Sequence, residues 1–167
     1  LMDYVVGNPP YVRVHNLDSI YENVKRYKFA NGGMTDLYLA FFELGFNMLA
    51  ENGKLCYITP SSWLNSLAAS NLRQHISLCR NLISLVDLGH YQPFDGATAY
   101  TIISLFSKSY YANSFDYYEF DVATYSRRFV DTLKYDETML DGAIYLANRQ
   151  TLAQLREMKQ LEVGARV

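Results

Sequence analysis

Asn8-Pro9-Pro10-Tyr11 is the stretch of this sequence whose residue types and spacing could do chemistry. The side-chain oxygen of Asn8 and the carbonyl of Pro9 are two hydrogen-bond acceptors that a stiff backbone can aim at one point. Neither Pro9 nor Pro10 has an N–H, so no backbone donor from either competes for those acceptors. Two convergent acceptors suit an amino group on an sp² carbon, which has two hydrogens to donate. Holding both would tilt the nitrogen toward tetrahedral geometry and make its lone pair available for attack. Tyr11 adds an aromatic face on which a planar base or amide can stack.

Such a loop needs a scaffold. Tyr4, Val5 and Val6 are strand formers and predict the end of a buried strand. Gly7 permits an unusual dihedral, and the two prolines then forbid both helix and ladder pairing. The chain must therefore leave the sheet in an extended loop at the strand's carboxyl end, the edge where open α/β sheets bind ligands. A polar stretch follows as far as Thr35, with a short helix expected over Tyr21–Phe29. Arg13, His15, Lys25, Arg26 and Lys28 outnumber Asp18 and Glu22 there, so Arg13, Lys25, Arg26 and Lys28 are candidates for phosphate contact.

Thr35 or Asp36 can cap a helix running to about Ala50, with Leu37, Phe41, Leu44 and Met48 at helical spacing and Tyr38, Phe42 and Leu49 beside them. Asn52-Gly53 is expected to end it, before a strand over Lys54–Thr59 closed by Pro60. Ser61 or Ser62 is expected to cap a second helix with Leu64, Ala68, Leu72, Ile76 and Cys79 in period. Strands over Leu82–Leu88 and Tyr100–Phe106 flank a loop carrying Tyr91, Pro93, Phe94, Gly96 and Thr98, and Phe115–Phe120 reads as a fifth strand. Alternating strands and helices imply parallel strands, and the short link between the strands at 82–88 and 100–106 implies an antiparallel pair. Beyond Asp121 the pattern weakens around Arg127-Arg128, and Leu152, Leu155, Met158 and Lys159 predict a terminal helix over Thr151–Leu161.

Composition narrows the class. The 167 residues suffice for one domain, and at 50% hydrophobic and 15% aromatic the chain is not disordered. No run approaches a membrane span. Cys56 and Cys79 have neither metal-ligand nor disulfide spacing and read as free thiols in a reducing cytosol, and with His15, His75 and His90 scattered, no metal site is expected. A formal net charge of −2 does not favour a nucleic-acid binder, so any DNA grip must be local or lie outside this chain. The sequence begins at Leu1, on the doorstep of a strand, and reads as a piece of something longer.

Asn-Pro-Pro-Tyr after an apolar strand resembles the signature of methyltransferases that methylate a planar amine or amide nitrogen. Asp36-Leu37-Tyr38 with Phe41-Phe42-Glu43, and Asn52-Gly53-Lys54-Leu55 running into Ile58-Thr59-Pro60-Ser61-Ser62-Trp63-Leu64, narrow the resemblance to the adenine-specific DNA methyltransferases of bacterial restriction–modification systems. It covers about residues 1–107. It implies the second half of a class I S-adenosylmethionine-dependent methyltransferase fold, an α/β Rossmann-like sheet with an antiparallel last strand. It implies that Asn8 and Pro9 accept hydrogen bonds from the adenine amine, that Tyr11 stacks on the ring, and that Phe94 helps hold the flipped base. Asn8 and Pro10 would also border the cofactor. In that family a glycine-rich loop and an acidic residue that bind the cofactor lie upstream of the motif, and this chain has neither. Leu161–Val167 weakly resembles the approach to a target-recognition domain.

The expected organisation is thus a catalytic-loop half over 1–120, then a connecting segment and terminal helix over 121–167. The expected partners are double-stranded DNA, the missing half of the domain, a target-recognition domain and a fused or separate endonuclease, in a bacterial cytoplasm. On this reading the chain is inactive alone. Alternatives are a protein glutamine or RNA methyltransferase, methylation of cytosine's amine, and a non-catalytic module for assembly or DNA docking.

Overall fold

A computed structural model describes residues 1–17, 20–32, 34–94, 99–121 and 144–151 of the chain. Six strands form one mixed sheet: β1 (Met2–Gly7), β2 (Leu49–Pro60), β3 (Leu82–Asp87), β4 (Thr101–Ser107), β5 (Ser114–Phe120) and β6 (Ile144–Thr151), in the order β1-β2-β4-β3-β5-β6. β1 and β2 are parallel, as are β3 and β5, whereas β4 runs antiparallel to both β2 and β3. The antiparallel strand therefore lies inside the sheet, where its Thr101, Ile102, Ser104, Phe106 and Ser107 are buried. β6 pairs antiparallel with β5, a strand that the sequence reading did not foresee. Thr151 ends that strand, and the remainder of the terminal helix expected over Thr151–Leu161 lies outside the described residues, as do Arg127 and Arg128.

Helices α1 (Tyr21–Val24), α2 (Leu37–Met48) and α3 (Ser70–Cys79) complete the fold. α2 buries Tyr38, Leu39, Ala40, Phe42, Gly45 and Phe46, while Leu37, Phe41 and Met48 are half-buried and Leu44 is exposed. The inward face is therefore rotated from the expected Leu37–Phe41–Leu44–Met48 stripe. Gly45 explains the rotation: a Cβ there would stand 2.7 Å from the Tyr57 hydroxyl and 2.8 Å from Leu55 Cδ1, so this side of the helix lies directly on β2. Phe42 sits at the centre of the core, its ring 5.4 Å from Tyr57, 5.9 Å from Trp63 and 5.9 Å from Phe106.

Two expected boundaries move. Asn52-Gly53 does not end α2, which stops at Met48; it lies inside β2. Met2 pairs with Leu49 but Tyr4 with Lys54, so residues 50–53 form a bulge, and a Cβ on Gly53 would meet the Met2 carbonyl oxygen at 2.8 Å. Ser61 and Ser62 do not cap a long helix either. Ser61–Leu64 and Leu67–Ala69 are separate 3₁₀ turns, and α3 starts only at Ser70 with Ala69 at its N-cap. Leu72 and Ile76 face inward as expected, but Cys79 is exposed.

The excursion between β1 and α2 folds back on itself. Val14 N–H donates to the Thr35 carbonyl at 3.0 Å and Leu37 N–H to the Val12 carbonyl at 2.8 Å, closing its base. The helix expected over Tyr21–Phe29 is confined to α1, with a 3₁₀ turn at Lys28–Ala30 whose Phe29 N–H donates to Glu43 Oε2 at 2.9 Å. Among the described residues no helix is long and apolar enough to cross a membrane.

Candidate active site at the carboxyl end of the first strand

β1, β2 and β3 all deliver their carboxyl ends to one edge of the sheet, and there the two prolines turn the chain out of β1. Among the described residues, Asn8, Pro9, Pro10 and Tyr11 line an open hollow of about 230 Å³ together with Phe94, from the loop after β3. The structure thus brings together the tetrapeptide and the one distant aromatic singled out from the sequence. Pro9 is buried and Tyr11 half-buried, while Asn8, Pro10 and Phe94 are exposed. This suits the geometry: the buried proline anchors the loop, and the side chains that would meet a ligand stay reachable.

The Tyr11 hydroxyl donates to the Ile58 carbonyl of β2 at 3.4 Å, which fixes the ring against the sheet edge. Burial pushes its phenol above the ordinary tyrosine value, so the ring is neutral at any working pH. No hydrogen bond to the Asn8 side chain is formed among the described residues, leaving its amide oxygen available as an acceptor. The hollow has two aromatic walls and one polar corner, a shape and chemistry suited to a planar ring bearing an amine.

Behind this edge, Ser61 N–H donates to the Tyr100 carbonyl at 2.8 Å, tying the turn after β2 to the start of β4. The Tyr38 hydroxyl lies 3.3 Å from Ser62 Oγ, and burial pushes that phenol up to about 12. Arg73 of α3 is buried and donates through Nη1 to the carbonyls of Trp63, at 2.6 Å, and Ser66, at 2.7 Å. Sequence reasoning missed Arg73, because an arginine between the inward-facing Leu72 and Ile76 reads locally as a solvent-facing helical residue.

The four basic candidates divide. Arg13 Nε pairs with Asp36 Oδ1 at 3.2 Å, and Lys25 Nζ donates to the Gly32 carbonyl at 3.0 Å while lying 5.4 Å from the centre of the Tyr21 ring. Asp36, expected as a cap of α2, occupies the N-cap position without a capping hydrogen bond. Its carboxyl is raised by burial, against the lowering effect of Arg13 and His15. Arg26 and Lys28 are exposed and make no ion pair among the described residues.

Among the described residues, those lining the hollow supply no carboxylate to hold a whole methyl donor of the nucleoside type. A ribose or amino-acid group calls for carboxylates or backbone donors, and among the described residues no Asp or Glu lines the hollow. What is present suits the acceptor ring.

Residues 2–94 match the family described as Eco57I restriction-modification methylase. Over 124 residues the chain is 33% identical to the type II restriction enzyme and methyltransferase RM.Eco57I of Escherichia coli, a match covering 70% of this chain and 12% of that protein. Among solved structures it is similar to a type I restriction–modification system methyltransferase subunit from Streptococcus thermophilus (TM-score 0.61, 15% identity, 96% of this chain and 33% of that one). It is also similar to a putative class I S-adenosylmethionine-dependent methyltransferase from Listeria monocytogenes (TM-score 0.58, 14% identity, 95% of this chain and 43% of that one). The fold is that of class I S-adenosylmethionine-dependent methyltransferases, of which this chain spans a part.

Proposed function

This chain belongs to the Eco57I restriction-modification methylase family, and on that footing we propose that it is the base-holding part of a DNA methyltransferase that modifies the N6 amine of an adenine swung out of the duplex. The observation that carries the reading is the meeting of Asn8, Pro9, Pro10 and Tyr11 with Phe94 around one hollow. An isolated amide substrate, such as a protein glutamine, would have little use for two aromatic walls.

In this reading the Asn8 side-chain oxygen and the Pro9 carbonyl each accept a hydrogen bond from the adenine amine. That draws its hydrogens to one side and directs the nitrogen lone pair outward, toward the incoming methyl group. Tyr11 and Phe94 hold the ring against its return to the stack. S-Adenosylmethionine supplies the methyl group when bound, with Asn8 and Pro10 at its border and its main anchors outside this chain. The amine need not lose its proton before attack, so no separate general base is required, and positioning carries most of the rate.

The rest of the enzyme is proposed on the same footing. The chain spans 12% of the E. coli relative. Met2, Tyr4 and Val6 of β1 are exposed, and among the described residues β1 pairs with β2 alone. A free strand edge with uncovered apolar side chains supports a further part of the sheet, carrying the cofactor anchors, added beside β1. A target-recognition domain and an endonuclease, fused or separate, complete a restriction–modification enzyme of the bacterial cytoplasm. Arg26 and Lys28 are the first candidates for phosphate contact, while Arg13 and Lys25 must give up or share their internal partners.

The test is to incubate the enzyme carrying this chain with methyl-labelled S-adenosylmethionine and unmethylated DNA, digest the DNA, and identify the labelled nucleoside. N6-methyladenine supports the reading; label confined to cytosine, RNA or protein glutamine would sink it. Within that assay Phe94→Ala lowers the transfer rate about tenfold, the effect of losing one stacking face. An unchanged rate would remove Phe94 from the site.

A further inference from the structure

We propose that Asp87 is a positioning residue that aims the loop carrying Phe94, an inference that rests on reading the hollow as the seat of an extruded base. Asp87 ends β3, and the chain runs from it directly into that loop. It is half-buried, and no lysine or arginine pairs with it among the described residues. Its two carboxylate oxygens instead take hydrogen bonds from two separate parts of the chain. Oδ1 accepts the Gly89 N–H at 2.8 Å, and Oδ2 accepts the Tyr117 hydroxyl at 2.5 Å. Hydrogen bonds to a carboxylate are about twice as strong as those between neutral groups, so this joint between loop and sheet is a firm one.

The sheet end of the joint is rigid. Tyr117 of β5 pairs in register with Leu85 of β3, and both side chains lie in the buried core. The Tyr117 ring therefore climbs the inner face and delivers its hydroxyl to Asp87. The loop end has no such support of its own. Gly89 is exposed and takes the left-handed conformation at φ +54°, and no atom beyond its chain neighbours comes within 4 Å of where a Cβ would stand. Its N–H bond to Asp87 thus restrains a residue that packing leaves free. Tyr91 supplies the next hold, with its N–H on the Leu88 carbonyl at 2.9 Å and its ring 5.0 Å from that of Phe120 on β5. Only Gln92 and Pro93 then separate Tyr91 from Phe94, and the proline ring fixes one of the few torsions left between them. With the Asp87 carboxylate removed, Gly89 swings and the loop leaves its course beside β5. Phe94 then meets a swung-out base less often.

The experiment is a double-mutant cycle in the enzyme carrying this chain: wild type, Asp87→Ala, Phe94→Ala and the two changes together. Single-turnover methyl transfer to DNA is measured under saturating donor, with thermal unfolding of each sample as the folding control. We expect Asp87→Ala to slow transfer about fivefold, less than the loss of the ring itself, because the ring is misplaced part of the time rather than deleted. In the Phe94→Ala background the same change should cost less than about twofold, since effects that run through one side chain are not additive. Asp87→Asn keeps an oxygen for the Gly89 N–H and an amide that can donate to the Tyr117 oxygen, and it should recover most of the loss. If Asp87→Ala does not fold, Tyr117→Phe takes its place in the cycle, with a loss of about threefold, the lower range for one hydrogen bond, that again disappears without Phe94. Equal losses in both backgrounds would mark a general structural role and overturn the proposal, as would an unchanged rate in Asp87→Ala. A wild-type enzyme that labels no adenine, or a Phe94→Ala variant that loses nothing, would overturn the reading beneath it, whatever the Asp87 variants do.

Discussion

If Asn8 holds the amine as proposed, Asn8→Ala is expected to lower methyl transfer by about a hundredfold in the enzyme carrying this chain, the scale for one preorganised polar contact at a reacting centre. The loss falls on the rate and spares the fold. Asn8 is exposed, lies beyond the last residue of β1, and has a side chain that no hydrogen bond engages among the described residues. In the proposed arrangement the Pro9 carbonyl remains as the second acceptor, so activity is expected to drop without vanishing. With one amine hydrogen unheld, the nitrogen flattens back toward its resting geometry and its lone pair returns to the ring. Single-turnover transfer under saturating donor measures the effect, and thermal unfolding of the same sample controls for stability. Unchanged transfer with intact folding would show that another loop holds the amine.

Phe42→Ala produces the opposite pattern, a large loss of stability that reaches the site only through the scaffold. The ring is fully buried and contacts Tyr38, Phe46, Tyr57, Trp63 and Phe106. Deleting such a ring costs about 3–5 kcal/mol, since these neighbours cannot all move in to fill the void. Against total stabilities of about 5–15 kcal/mol that is a large share, and a midpoint drop of roughly 10 °C or more is expected. The matched control is Leu44→Ala on the outer face of α2, where the side chain is exposed and the change should stay within about 0.5 kcal/mol. Calorimetry of both variants would expose an error in the assignment of the inner face if Leu44→Ala proved the more harmful.

These two residues also mark what local sequence can and cannot reveal. The Asn8–Tyr11 loop is legible because its conformation is dictated on the spot, by a glycine and two prolines after a β-branched pair. β1 to β3 are legible for a similar reason, as short apolar runs closed by glycine or proline, although Tyr4 and Val6 of β1, expected to be buried, are exposed. The inward face of α2 is not, because it depends on how closely Gly45 can approach Tyr57 and Leu55, residues of the following strand. The start of α3 shifts for a comparable cause: two carbonyls that would have continued a helix from Ser61 are taken by Arg73 from the next element. β6 takes its identity from the free edge of β5, and no periodicity in Ile144–Thr151 announces that edge. Phe94 lies between these cases. Its residue type and loop were readable, but its meeting with Tyr11 depends on the whole sheet edge.

The antiparallel β4, seated between β2 and β3, has a bearing on how the chain comes off the ribosome. β1 and β2 can pair as soon as both have emerged, but β3 emerges with neither neighbour beside it, since its partners β4 and β5 follow in sequence. The nascent sheet therefore waits in two unjoined pieces until Ser107 clears the exit tunnel, with Leu82 and Leu85 of β3 uncovered meanwhile. At about 5–20 residues per second that interval lasts on the order of a second, long enough for a holding chaperone to matter and far longer than local hairpin closure. A pause in translation just after β3 would prolong the most aggregation-prone moment in the life of this domain, whereas one just after β4 would give the sheet time to close.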